Sequence, residues 1–202
     1  MKRFAFTMLE LVFVIIVIGI LAVLAMPNFN RHPLQEAAEQ LAGHIRYTQH
    51  LAMVDDKFDP TDPLWFRENW QIEFTSTASN VFYKIYSDKD QEGNADNNEL
   101  ALDPLTGDKL YVDTINGTSD RTNLKKKFGI TAVAFSAGCN TGKELSFDVL
   151  GRPYYYITGA APLADNIYQY LLHQDCNILL THQDGSARIT IRPETGYVSV
   201  SY

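Results

Sequence analysis

The stretch Asp88-Lys89-Asp90-Gln91-Glu92-Gly93-Asn94-Ala95-Asp96-Asn97-Asn98-Glu99 carries the residue types and spacing in this chain that most clearly could do chemistry. Asp88, Asp90, Glu92, Asp96 and Glu99 put oxygen donors at loop positions one, three, five, nine and twelve. Gly93 stands at six, and Asn94 offers a backbone carbonyl at seven. That is the ligand order of an EF-hand loop, in which the glycine permits a sharp turn and the closing Glu can bind bidentately. Glu92 is longer than the usual Asp or Asn, Ala95 replaces the usual branched apolar residue, and the flanks read as strand and loop instead of two helices. A hard divalent cation needs only the oxygens. Calcium is therefore the expected cofactor, with Asp88, Asp90, Glu92, Asn94, Asp96 and Glu99 as its ligands. The competing reading is a solvated acidic turn.

Charge bookkeeping points to the same loop. The 202 residues carry a formal net charge of −7, and Asp88 to Asp108 holds seven of the acidic groups against the single cation of Lys89. An acidic chain argues against a surface that grips nucleic acid everywhere, although a local basic patch would survive the average. Lys125-Lys126-Lys127 is the basic run and reads as a solvated turn. Tyr154-Tyr155-Tyr156 could stack on bases, but alternation along a strand would bury one or two of the rings. His173, Asp175, Cys176 and His182 match no metal-site spacing with a mechanism. No Gly-rich phosphate loop, His-Glu-x-x-His or Gly-x-Ser-x-Gly occurs, so an enzyme is not expected.

The elements that would position these residues form an α+β pattern. Pro33 to about Asp55 has Leu34, Ala37, Ala38, Leu41, Ile45 and Ala52 at three- and four-residue spacing, with Glu36, Glu39, Gln40 and Arg46 on other faces. Pro33 suits a first helical turn, and Asn30 is a candidate cap. After the turn-rich Asp59 to Pro63, strand character appears at Trp70–Thr75, Val81–Tyr86, Ile130–Phe135, Leu145–Val149, Tyr154–Thr158, Cys176–Thr181, Ala187–Arg192 and Tyr197–Ser201. The last three read as a meander of hairpins. The expected architecture is one long, interrupted amino-terminal helix, half membrane-spanning and half amphipathic, packed on an antiparallel sheet.

The membrane half is read from Phe6 to Met26, an apolar run with one charge, Glu10, preceded by Lys2 and Arg3. A run of this length as a helix rises roughly 30 Å, the thickness of a bilayer core. Flanking cations would keep the amino terminus cytoplasmic and place the rest in the periplasm, a single pass through a bacterial inner membrane. A plain signal anchor, or a signal peptide cut near Ala25, are the ordinary alternatives. Glu10 argues against both, because a carboxylate in an apolar segment needs a reason.

Ala5-Phe6-Thr7-Met8-Leu9-Glu10 resembles the processing site of type IV prepilins and type II secretion pseudopilins. The resemblance implies cleavage between Ala5 and Phe6 by a prepilin peptidase and N-methylation of Phe6. Glu10 then stands at the fifth mature position and Pro27 at the twenty-second, where the family has an assembly carboxylate and a kinking proline. It further implies helices packed side by side in a filament, each Glu10 facing the amino group of a neighbour, with Gly19 allowing close approach. The domains it suggests are a leader at 1–5, an assembly helix at 6–26, an amphipathic continuation at 27–56 and an exported β-rich domain at 57–202.

Within that superfamily Asn69 to Phe74, Leu145 to Pro153 and Ile189 to Val200 look most like minor pseudopilin H of type II secretion and the FimT-type minor pilins. Implied partners are other pilins, the prepilin peptidase, the inner membrane and the secretion or pilus machinery. A competence pilin that binds DNA is the alternative. It is not favoured, since Thr195-Gly196-Tyr197-Val198 has no arginine after the glycine. Export would put Cys139 and Cys176 in an oxidising compartment, where they form a disulfide or remain two buried thiols.

Overall fold

Thr7-Met8-Leu9-Glu10 is a Thr-x-x-Glu capping sequence and starts the first helix, α1 (Met8–Ala25), in a computed structural model that describes residues 7–25, 32–111, 120–139, 143–155 and 167–202. The Glu10 amide donates to Thr7 Oγ1 (3.2 Å) and the Thr7 amide donates to Glu10 Oε2 (3.2 Å), so two orphan donors of the first turn are satisfied reciprocally. Beyond Glu10 the side chains described on this helix are apolar apart from Gly19, and Met8 to Leu21 are exposed. Ala5, Phe6, Pro27 and Asn30 lie outside the described residues.

The chain divides into two compact units, Met1–His32 and Pro33–Tyr202. The second begins with α2 (Pro33–Val54). Proline has no amide to leave unsatisfied at a first helical position, and it disfavours helical geometry at the residue before it, His32. Two helices therefore stand where one long helix was expected. Among the described residues no helix is long and apolar enough to cross a membrane. The uncharged part of α1, Leu11–Ala25, rises about 22 Å at 1.5 Å per residue, against a bilayer core of about 30 Å. The reading as a single-pass inner-membrane protein is corrected on that ground.

The class is α+β, but the strands form two four-stranded antiparallel sheets instead of one. The strands are β1 (Gln71–Ser76), β2 (Val81–Tyr86), β3 (Ala132–Ala137), β4 (Glu144–Phe147), β5 (Pro153–Tyr155), β6 (Cys176–His182), β7 (Gly185–Ile191) and β8 (Val198–Ser201). One sheet runs β2-β1-β4-β5 and the other β3-β6-β7-β8. The split arises because β3 pairs with β6, Val133 opposite Leu180, while β4 pairs with β1, Leu145 opposite Ile72. Strands adjacent in sequence thus belong to different sheets. The last three strands are the hairpin meander that their alternation suggests.

The buried face of α2 is Ala37, Ala38, Leu41, Ala42, Ile45, Thr48 and Ala52, and it packs against strands of both sheets. Ile72, Phe74, Tyr83, Ile85, Phe147, Ile178, Leu180, Ile189 and Ile191 complete that core. Lys125-Lys126-Lys127 forms a short helix, α3 (Leu124–Phe128), and not a turn. Asn123 caps its amino end and Gly129, at φ +71°, its carboxyl end. Tyr154 is buried against Phe66, and Tyr156 lies outside the described residues.

At its carboxyl end α2 holds two turns together. Gln49 Nε2 donates to Gly151 O (2.8 Å) and to Thr195 O (3.0 Å). Gly196 sits in this junction at φ +62°, and a Cβ there would lie 2.5 Å from the Gly151 carbonyl oxygen. Gly107 has a similar φ of +74° with nothing within 4 Å. Gly107→Ala should cost about 1 kcal/mol for backbone conformation alone, and Gly196→Ala about 2–3 kcal/mol because collision adds to it. Urea midpoints with an unchanged m-value would show that difference, and equal losses would contradict it.

Candidate functional site

The acidic loop leaves β2 at Tyr86 and is closed at its base. The Ser87 amide donates to Glu99 O (3.1 Å), and Tyr86 bridges Leu100. Both ends of the loop are therefore side by side, and the carboxylates at those ends meet. Asp88, Asp90 and Glu99 each place an oxygen within 4.8 Å of the others. The order of ligands along the sequence suggested a larger set. Glu92 and Asp96 are outside this group of carboxylates, and the Asn94 amide turns to Glu92 Oε2 (3.5 Å). Calcium-loop spacing presumes two flanking helices, whereas a strand and a bridge pinch this loop at its neck.

Each carboxylate has a distinct position. Glu99 is 2% exposed and turned inward. Its Oε1 accepts from the Lys89 amide (2.6 Å) and the Asp90 amide (3.3 Å), and its Oε2 from the Asp96 amide (2.9 Å). Asp88 is fully buried; its Oδ2 accepts from the Gly93 amide (2.8 Å), and its Oδ1 has no hydrogen-bond partner. Asp90 is exposed, and its Oδ1 accepts from the Glu92 amide (3.3 Å). Burial pushes the Asp88 carboxyl up to about 6; the Gly93 amide opposes the rise, and Asp90 and Glu99 add to it. Gln91 at φ 60° and Gly93 at φ 82° let the chain turn back over the cluster.

The loop is also tied to a neighbouring segment. Gln91 Nε2 donates to Asp62 Oδ2 (2.5 Å) and Glu68 Oε1 (3.1 Å), and Ser87 Oγ donates to Glu68 O (2.6 Å). Trp65 and Phe66 lie between those two acceptors, and Phe66 packs on Tyr154 of β5. Nothing in the sequence signals this link, because Gln91 occupies a loop position with no ligand role.

The other expected residues fall elsewhere. Cys139 and Cys176 form a disulfide, Cα to Cα 5.0 Å, joining the turn after β3 to the start of β6. Glu10 belongs to the capping sequence of α1. A polar cluster missed by sequence reasoning lies on α2, where His44 Nδ1 is 2.6 Å from the Tyr83 hydroxyl. A comparison with protein-family models, with curated proteins and with solved structures found no match.

Proposed function

We propose that the chain is a structural subunit of a pilin- or pseudopilin-type filament, assembled through α1 with subunits of the same kind. The observation that carries the reading is the surface of α1. Met8 is 87% exposed, Leu9 82% and Phe13 67%, and the apolar side chains from Leu11 to Leu21 are exposed on all sides of the helix. A helix apolar all round needs apolar neighbours on every side, and a bundle of like helices supplies them. No Cβ at Gly19 would meet an atom within 4 Å, so that face is open to close approach. Secretion or pilus machinery would use such a subunit, cut between Ala5 and Phe6 by a prepilin peptidase and methylated at Phe6.

Glu10 supports the reading and also has a local explanation, since it closes the capping box with Thr7. In the filament its carboxylate faces the charged amino group of a neighbouring Phe6, because a charge among apolar helices is tolerated only when paired. One substitution separates the two roles. Glu10→Gln keeps the capping geometry, which glutamine also supports, and removes the charge. It should leave helix content unchanged and reduce incorporation into filaments by about a hundredfold. Mass spectrometry of the mature protein should find N-methylated Phe6 as the first residue. Filament incorporation equal to wild type would leave Glu10 as a cap only, and a chain starting at Met1 or Met26 would overturn the proposal.

A further inference from the structure

We propose that Asp88, Asp90 and Glu99 hold a hard divalent cation, calcium, which neutralises the buried Asp88 carboxylate and locks the loop 88–99 onto the segment Asp62–Glu68. The inference does not rest on the filament reading. Three carboxylates close together are by themselves an ordinary acidic turn. Asp88 distinguishes this one: its side chain is fully buried, and Oδ1 has no hydrogen-bond donor. A buried ionised oxygen is costly unless a partner meets it. Among the described residues no lysine or arginine forms an ion pair with any of the three. Lys89 reaches toward Asn98 O (3.5 Å), and the Lys109 ammonium binds the Asn97 carbonyl (2.7 Å) and its side-chain oxygen.

The donor set selects the ion. The group offers oxygen only, with no imidazole or thiolate among its members, which suits calcium or magnesium over zinc or copper. Two oxygens on one ion can be no farther apart than twice the bond length, about 4.8 Å for calcium at about 2.4 Å and about 4.2 Å for magnesium at about 2.1 Å. The three oxygens lie within 4.8 Å of one another, close enough for one ion to draw them together, and three protein carboxylates suit calcium over magnesium, which keeps several of its waters and takes one or two carboxylates. Glu99 already accepts three amides, so it is held in place before any ion arrives. Asp90, being exposed, supplies the entry side.

A consequence follows for the neighbouring segment. Gln91 lies between two of the ligands along the chain and donates to Asp62 and Glu68. Drawing Asp88, Asp90 and Glu99 onto one ion fixes Gln91 and, through it, the stretch carrying Trp65. The chain has two tryptophans, Trp65 within that stretch and Trp70 two residues beyond Glu68. Their fluorescence should report the ion.

The full chain, kept in solution with mild detergent and freed of metal by a chelator, is titrated with calcium chloride. Tryptophan fluorescence should change saturably with an apparent Kd on the order of 0.1–1 mM. At 10 mM calcium the melting temperature should rise by about 3–10 °C. Asp90→Asn, at an exposed position that does not threaten folding, should abolish both responses. Asp88→Asn should abolish them too and should melt higher than wild type in chelator, because it removes an uncompensated buried charge. That last effect is not expected of a merely structural aspartate. No saturable change in the wild type, or an equal change in both variants, overturns the site. An equal rise with magnesium chloride retains the site and overturns the assignment to calcium.

Discussion

Replacing Cys139 and Cys176 together by alanine should lower the unfolding free energy by about 4 kcal/mol. The two residues are 37 apart in sequence, and in the chain-entropy model a loop of that size in the unfolded chain loses about this much freedom when cross-linked. The bridge also sits where the backbone is crowded. Gly138 donates its amide to Asp175 O (2.9 Å), and a Cβ at Gly138 would lie 2.5 Å from Gln174 O. The bridge therefore spans two segments already in close contact, so its loss acts chiefly on the unfolded state. Melting should fall on the order of 10 °C for a domain of this size. Reductant should reproduce the loss in wild type and leave the double variant unchanged. A reductant effect of equal size in both would refute the assignment of the loss to this bridge.

Local patterns were legible in the sequence; long-range choices were not. Val81, Tyr83 and Ile85 alternate, and they are the buried side of β2, because a period of two needs only neighbouring residues to be seen. Ala37, Ala38, Leu41, Ala42 and Ile45 mark the buried face of α2 for the same reason at a period of 3.6. The division into two sheets was not visible. It depends on β1 finding β4 some seventy residues on (Ile72 opposite Leu145), and nothing near either strand specifies the other. The break between α1 and α2 was partly legible in Pro33 and Pro27, but the apolar run and the amphipathic stretch together invited a reading as one long, interrupted helix.

The acidic loop shows the same limit at the scale of a site. Spacing along the chain told which residues carry oxygen. Which oxygens converge is decided by the neck of the loop, where Ser87 bonds Glu99 and Tyr86 bridges Leu100. Residues at the two ends meet, and those at the middle do not join them. The capping role of Glu10 was written in the motif Thr7-Met8-Leu9-Glu10 and was overshadowed by the processing-site resemblance, which spans the same four residues. His44 gave no signal, because a histidine on an amphipathic helix does not say whether its ring meets solvent or a tyrosine.

That histidine should make stability depend on pH. The Tyr83 hydroxyl accepts from Gln40 Nε2 (3.0 Å), which leaves its own proton to donate to His44 Nδ1 at 2.6 Å. A neutral imidazole is the form that accepts it. Tyr83 is fully buried, and the two rings meet edge to face at 5.6 Å. Burial lowers His44 from 6.5 to about 4; Asp103 works against the shift, and Lys127 and Arg121 work with it. Asp103 is itself held in place by Arg121 Nη1 at 2.8 Å. Because the folded chain binds this proton less readily than the unfolded one, the stabilisation is complete above pH 6.5 and is lost as pH falls from 6.5 toward 4. The whole effect amounts to about 3 kcal/mol. Without a cation the raised carboxyl of Asp88 acts in the opposite sense between its ordinary value and about 6, so the wild-type curve alone mixes the two. His44→Asn places an amide oxygen near the Nδ1 position and cannot take up the proton. Subtracting its urea stability from that of wild type, pH by pH, isolates the histidine. The difference should shrink by about 3 kcal/mol between pH 7.5 and 4, and a flat difference across that range would show that the His44–Tyr83 pair does not hold the ring neutral.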